Sequence, residues 1–365
     1  MDKFGPEYIL EVYDPRVGMQ GFLVIDNTVL GAGKGGIRMT PDVSVEEVAR
    51  LARTMTWKNA LAGIPFGGAK AGIIWRGGSD RLKKQFIQSF ARAVKLFTPK
   101  KYIAGPDVNT GEREMQWFVE ATNDWRSATG KPANLCMKIF GKPGERCGIP
   151  HEFGSTGFGV AVATRIAARM AGVDLSGARL AIHGFGNVGT FTYQYLSGLG
   201  AKVVALADRK YTVYSPAGLK KTDALDKYPK KFRIKPEDFW QLDADILIPA
   251  SVTDVINKSN KNKIKAKIIV EAGNIPMTEE IEKELHKKGI LVVPDFVANA
   301  GGVISSYAEY RGYNPKRMLE LVEKKIKSST TMVLKRALRQ KKNPRAVALK
   351  LAQEKITAAR RLIPF

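Results

Sequence analysis

The stretch from residue 179 to about Gly198 limits the fold more than any other part of this chain. A short apolar run, Arg179-Leu-Ala-Ile-His183, ends in Gly184-Phe185-Gly186-Asn187-Val188-Gly189, and a helical pattern follows. Glycine at the first, third and sixth places of a strand-to-helix turn meets three separate needs. The first glycine permits the tight turn, the second lets backbone close on a pyrophosphate, and the third lets helix and strand pack closely. The helix N-terminus adds positive potential. In a chain with 35 glycines this spacing alone would be weak evidence. Its context makes it strong, because a second apolar run, Val203 to Ala207, ends at Asp208, where the ribose partner of a dinucleotide belongs. Asp208 would accept hydrogen bonds from the adenosine ribose and repel a 2′-phosphate, which favours NAD. The adjoining Arg209 and Lys210 are the groups that would hold such a phosphate, so NADP stays open.

Further strands are expected at Asp245 to Ile248, Lys267 to Val270 and Ile290 to Val293. The helix before the last of these is well marked: Thr278 is its N-cap, Glu279 and Glu280 open it, Lys287 and Lys288 close it, and Gly289 stops it. Strands alternating with helices imply a parallel, doubly wound sheet. Upstream, Val43 to Asn59 and Asp80 to Leu96 carry apolar residues at helical spacing. Gly and Pro gather between about 128 and 155, which reads as irregular connection and a domain boundary. From about Ala300 the chain looks wholly helical, and no internal repeat is visible. The expected fold is therefore α/β with two domains. Residues 1–150 form an N-terminal α/β substrate-binding and catalytic domain, residues 151–300 a Rossmann-type doubly wound dinucleotide-binding domain, and residues 301–365 helices that pack back on the first.

The formal charge of +24 is unusual, and basic residues crowd the last segment from Arg311 to Arg361. Such a field attracts polyanions and steers small anionic substrates. A solvated helix face accounts for it, and no aromatic-interleaved basic motif speaks for nucleic acid. No run approaches the roughly 20 apolar residues of a membrane-spanning helix, and the start has no apolar signal core, so a cytoplasmic protein is expected. The two cysteines, Cys136 and Cys147, form no CxxC pair and have no His-rich tract beside them, so no metal site is expected. Two free thiols are the expectation for them, with a disulfide as the alternative.

Three lysines of the first domain stand in glycine-rich or tightly turned settings: Lys34 in Gly33-Lys-Gly-Gly-Ile-Arg38, Lys58 in Met55-Thr-Trp-Lys-Asn-Ala60, and Lys70 in Pro65-Phe-Gly-Gly-Ala-Lys-Ala-Gly72. Asp107 follows in Gly105-Pro-Asp-Val-Asn-Thr110. A lysine normally lies on a solvated face, but bare backbone beside it leaves room for a ligand. Three ammonium groups converging on one place suit a small dianion, and repulsion with burial would turn one of them into a base near neutral pH.

With these segments, and with STGFG, GFGNVG and NAGGV following in the same order, nearly the whole chain resembles the glutamate/leucine/phenylalanine/valine dehydrogenase family. The resemblance implies that Lys58 binds the substrate α-carboxylate, that Lys70 is the catalytic lysine, and that Asp107 shuttles protons to and from the amino group. It implies that Thr156 holds the nicotinamide carboxamide and Asn274 the nicotinamide ribose. The Cα hydride would pass to the nicotinamide, Lys70 would assist water attack on the resulting imine, and closure between the domains would keep bulk water out.

Glutamate-specific members resemble this chain at Lys34 and Ser306, the pair that holds their γ-carboxylate, so reversible deamination of L-glutamate to 2-oxoglutarate and ammonia is expected. A buried ammonium left without its carboxylate would disfavour leucine. Pulling the other way are a leucine-dehydrogenase-like length, Ala71 in place of the glycine after the catalytic lysine, and Pro150-His-Glu-Phe-Gly154 in place of an Arg-Pro-Glu stretch. A dehydrogenase of branched-chain or aromatic amino acids is the alternative within the class. A catalytically silent sensor or nucleic-acid binder is the alternative outside it, opposed by the intact set Lys58, Lys70 and Asp107. The histidines His151, His183 and His286 have no expected role in the chemistry. The family analogy suggests a homo-oligomer, most often a hexamer.

Overall fold

A computed structural model describes the chain except Met1 and residues 139–143, 151–152, 221, 223 and 363–365. Two compact units emerge. One comprises Met1–Phe153, Val303–Leu321 and Ala352–Phe365, and the other Gly154–Gly302 and Val322–Leu351.

The first unit is built on a mixed sheet of β1 (Tyr8–Asp14), β2 (Met19–Asn27), β3 (Gly33–Lys34), β4 (Ile37–Thr40), β5 (Gly67–Ile74) and β6 (Tyr102–Ile103). The order is β1-β2-β5-β3-β6, with β4 paired to β5. β1, β2 and β5 run antiparallel, while β3 and β4 lie parallel to β5. Helix α1 (Val45–Ala62) starts at Ser44, whose side chain accepts from Glu47 N, and ends on Gly63 in the left-handed conformation. It covers one face of the sheet, where Val24, Val43, Val48 and Ala52 pack together. Helices α2 (Asp80–Ala93) and α3 (Glu112–Thr122) cover the other face over Ala69, Ala71 and Ile73. Alternation along β5 therefore sends Ala71 into this second core, away from the Lys70 side chain. The unusual alanine noted in the sequence is thus a core residue.

A hairpin of β7 (Cys136–Lys138) and β8 (Glu145–Cys147) follows. Its antiparallel register sets Cys136 opposite Cys147 with Cα atoms 4.0 Å apart, and the two are joined in a disulfide. Free thiols were the expectation from cysteine count and spacing. Strand pairing overturns it, because a register that puts two cysteines directly across a narrow ladder leaves the sulfurs within bonding distance.

The second unit opens with α4 (Ser155–Met170) and holds β9 (Arg179–His183), α5 (Asn187–Gly198), β10 (Lys202–Ala207), β11 (Thr212–Tyr214), β12 (Ile246–Pro249), β13 (Ile268–Val270), α6 (Glu279–Lys287), β14 (Leu291–Val293) and α7 (Asp295–Ala298). The sheet order is β11-β10-β9-β12-β13-β14, parallel except for the edge strand β11. Thr278 caps α6 as the sequence implied.

Three helices complete the chain: α8 (Gly301–Tyr310), α9 (Pro315–Gln340) and α10 (Pro344–Arg360). The expectation that residues 301–365 return as a block to the first domain does not describe this segment, because Val322–Leu351 groups with the second unit. Within the first unit, Lys355 donates to the carbonyls of Ala60 and Leu61 at 3.0 and 3.3 Å. That caps the end of α1, whose own last turn has no basic residue. Among the described residues, no helix is long and apolar enough to cross a membrane.

Candidate active site

Lys34, Lys58 and Lys70 are all buried in the first unit, at 3%, 7% and 7% exposure. Lys70 lies in the middle of β5, opposite Val24. Its Nζ is 2.6 Å from Asp107 Oδ2. The loop that carries Asp107 is docked on β4: Thr110 Oγ1 donates to the Ile37 carbonyl at 2.7 Å and accepts from Asp107 N at 2.9 Å. A Cβ on Gly36 would come within 2.5 Å of Pro106 O and 2.8 Å of Asp107 Cβ, so only glycine lets this loop approach. Gly36 of the KGGIR segment thus serves the approach of Asp107, whereas Gly35 lies against Ala69 O of β5.

Arg38 completes the pair in a way the sequence reading missed. Its Nε lies 3.3 Å from Asp107 Oδ2 and its Nη1 is 2.5 Å from Glu47 Oε1. Burial pushes the Asp107 carboxyl up, but the Lys70 and Arg38 cations outweigh it and hold the acid below its ordinary range. The signal was visible, since Arg38 sits in the quoted segment, but an arginine's partner cannot be read from its neighbours in sequence.

Lys34 is held differently. Its Nζ donates to the Ala104 carbonyl at 2.8 Å, against the bare backbone of Gly105. Among the described residues it forms no ion pair. Burial pulls its pKa down to about 7; the Glu309 carboxylate opposes that shift, and Lys70 and Lys131 reinforce it. Ser306, half-buried on α8, belongs to the same unit, where Phe66 packs edge-on against Tyr307 and Tyr310 of that helix. Lys58 lies on α1 with its neighbours Trp57 and Asn59 also buried.

The proposed dinucleotide residues all lie in the second unit. Gly184 has φ +109°, and a Cβ there would meet Ala250 at 2.6 Å. A Cβ on Gly189 would stand 1.9 Å from Gly184 O, so the helix closes tightly on the turn. Gly186, by contrast, has nothing within 4 Å of its Cβ direction. It is also the N-cap of α5, with no side chain to satisfy the first amides of that helix. The buried Asn187 Oδ1 has no protein partner among the described residues. An open glycine, free helix amides and an orphaned polar atom fit a pyrophosphate. The turn sits where neighbouring strands β10 and β12 lead away on opposite sides of β9, the switch point of a doubly wound sheet. Asp208 is exposed just beyond β10, its Oδ1 fixed by the amides of Lys210 and Tyr211, both at 2.7 Å. Thr156 is buried near the start of α4. Asn274 is exposed, and its Oδ1 accepts from Asn299 at 3.0 Å.

His183 ends β9, bonds Ser251 at 2.8 Å and stacks on Trp240; burial depresses its pKa to about 4. His286 is in the last turn of α6, and His151 lies outside the described residues.

A glycine turn at the switch point of a parallel sheet, in a chain whose other unit carries a buried lysine–aspartate pair, defines a dinucleotide-binding α/β oxidoreductase. Residues 147–362 match the family model described as Glutamate/Leucine/Phenylalanine/Valine dehydrogenase, and residues 6–124 match the model of that family's dimerisation domain. The chain belongs to this family. An NADP-specific glutamate dehydrogenase of Saccharolobus shibatae is 38% identical, over 78% of this chain and 69% of that protein. An NAD-specific glutamate dehydrogenase of Clostridioides difficile is also 38% identical, over 80% of this chain and 72% of that one. Among solved structures, the hetero-hexameric glutamate dehydrogenase of Thermus thermophilus superposes with a TM-score of 0.87 at 28% identity, covering 99% of this chain and 90% of that chain.

Proposed function

We infer that the protein catalyses the reversible oxidative deamination of L-glutamate to 2-oxoglutarate and ammonia, with NAD or NADP as the hydride carrier. The observation that carries this reading is Lys34. A buried ammonium that holds one carbonyl and, among the described residues, no carboxylate is a ready receptor for the second carboxylate of a dicarboxylic substrate. Lys58 takes the α-carboxylate in this reading, and Ser306 adds a hydrogen bond to the γ-carboxylate.

The bound nicotinamide supplies the hydride chemistry at Cα. The chain's own residues manage charge and protons. Lys70 places a cation where oxygen charge develops as water adds at C2 or leaves it, and Asp107, ionised beside Lys70 and Arg38, accepts and returns the protons of the amino group. Asp208 favours NAD, while Arg209 and Lys210 beside it keep NADP within reach. We take the chain to assemble with copies of itself, most simply as a hexamer, in keeping with the dimerisation-domain match and the hexameric relative.

The test is oxidation of NADH and of NADPH with ammonia, comparing 2-oxoglutarate with 4-methyl-2-oxopentanoate. A higher kcat/KM for 2-oxoglutarate is expected, and preference for the branched acid would refute the glutamate assignment. Lys70→Ala should lower kcat by about 10³-fold while leaving the unfolding midpoint near that of the parent. Unchanged turnover would remove Lys70 from the chemistry.

A further inference from the structure

Lys131 and Glu309 are both fully buried, at 0% side-chain exposure, and pair at 2.5 Å. The chemistry above uses neither. Two charges taken out of water are retained only when other bonds support them; here Glu309 Oε1 faces the Lys131 ammonium and Oε2 takes backbone amides. Glu309 Oε2 accepts from Gly130 N at 2.7 Å and from Ile149 N at 2.9 Å. Lys131 also donates to the Ala128 carbonyl and lies 3.6 Å from the centre of the Trp125 ring.

Two structural paths lead from this pair to the residues assigned to the second carboxylate. Ala128 bridges to Ala104, Thr129 N donates to Ala104 O at 3.0 Å, and the same oxygen receives the Lys34 ammonium. Clamping residues 128–131 therefore fixes the carbonyl that holds Lys34. On the other side, Glu309 stands one turn after Ser306 on α8, so its bonds to Gly130, Lys131 and Ile149 set the depth and rotation of the helix that carries Ser306.

We propose that Lys131 and Glu309 are positioning residues for substrate specificity, holding Lys34 and Ser306 ready for the second carboxylate of a dicarboxylic substrate. The proposal rests on the glutamate reading. Charge supports the geometry. Glu309, Lys70 and Lys131 are the groups that act on Lys34, and of these Glu309 alone stabilises its ammonium form.

The experiment measures kcat and KM of the full-length enzyme for 2-oxoglutarate and for 4-methyl-2-oxopentanoate across pH, in the parent, Glu309→Gln and Glu309→Asp. The parent alone tests the glutamate reading, because a preference for the branched acid ends that reading whatever the variants do. Given the expected preference, Glu309→Gln should raise KM for 2-oxoglutarate about tenfold or more, with kcat and the branched substrate changed far less. Its KM should also begin to climb at lower pH than the parent's, since Lys34 loses its stabilising neighbour. Glu309→Asp should recover most of the discrimination. If Glu309→Gln does not fold, the double variant Lys131→Gln/Glu309→Gln, which strands neither charge, is measured in its place. Equal losses on both substrates, an unchanged ratio, or failure of the double variant to fold would overturn the proposal and leave the pair a purely structural one.

Discussion

Each unit buries a knot of charge, and the two knots are unbalanced in opposite directions. In the second unit Arg345 meets Glu271 at 2.6 Å and Asp295 at 3.0 Å, and bonds Glu282 as well, so this one cation is shared by three buried carboxylates. In the first unit Lys34, Lys70 and Lys131 are buried, with Arg38 half-buried beside them, among carboxylates that are already engaged: Asp107 by Lys70 and Arg38, Glu309 by Lys131. The acidic knot holds its own structure, because Glu271 and Asp295 also accept from the backbone amides of Asp295 and Ile275. Among the described residues the basic knot is left with one ammonium, Lys34, that forms no ion pair. A surplus of buried carboxylate is met by protonation, as burial pushes Glu271 well above its usual range. In the glutamate reading, a surplus of buried ammonium beside bare glycine backbone is a place for an anion.

The largest effect expected from breaking this comparison is on the acidic side. Arg345→Met should cost about 3–5 kcal/mol at neutral pH, read by denaturant unfolding, because it removes the cation that Glu271, Glu282 and Asp295 share. Glu271 has its folded pKa raised, so protonation favours the folded state. The stability lost in this variant should therefore be smallest at acid pH and grow as pH rises through the folded pKa. A pH-independent loss would mean that Arg345 acts through packing alone.

On the basic side, Lys34→Met should lower kcat/KM for 2-oxoglutarate by about 10²–10³-fold and spare stability. The sign follows from Lys34's pKa near 7, below the ordinary lysine value. The folded state disfavours the ammonium, so its burial costs stability below about pH 7, and that cost fades as pH rises toward the unfolded value. Removing the charge should thus leave the unfolding midpoint at pH 6 equal or higher. In the parent, KM for 2-oxoglutarate should rise above about pH 7 as the ammonium is lost. A flat profile would place a different group at the second carboxylate.

A smaller change is expected at the cofactor. Asp208→Ala should shift the NAD-to-NADP preference toward NADP by about tenfold, measured as the ratio of kcat/KM values. Smallest of all, Cys136→Ser opens the loop closed by the disulfide and should cost at most about 3 kcal/mol, with KM unchanged. A large KM change in that variant would tie the hairpin to substrate binding.

Much of this molecule was legible in its sequence where the signal is local. The five parallel strands fall where short apolar runs end in turn residues, α6 begins on Thr278, and the Gly184–Gly189 turn has the geometry its spacing demands. The cysteine pair was misread because spacing says nothing of register, and Arg38 was overlooked because its partner Asp107 is remote in sequence. The basic tail, read as a solvated face, is so at Lys316, Lys324 and Lys335, yet Arg345 and Lys355 turn inward.

By itself the sequence determined the kind of sheet, the tight glycine turn between β9 and α5 and the presence of lysines in glycine-rich strands, since helix period, strand period and φ preference act over a few residues. Tertiary structure alone decided which charges meet. It paired Lys131 with Glu309, whose carboxylate also binds an amide 179 positions away at Gly130, and it left Lys34 with a carbonyl in place of a carboxylate. An ion's partner depends on which distant loops are brought together and desolvated, and no periodicity along the chain records that.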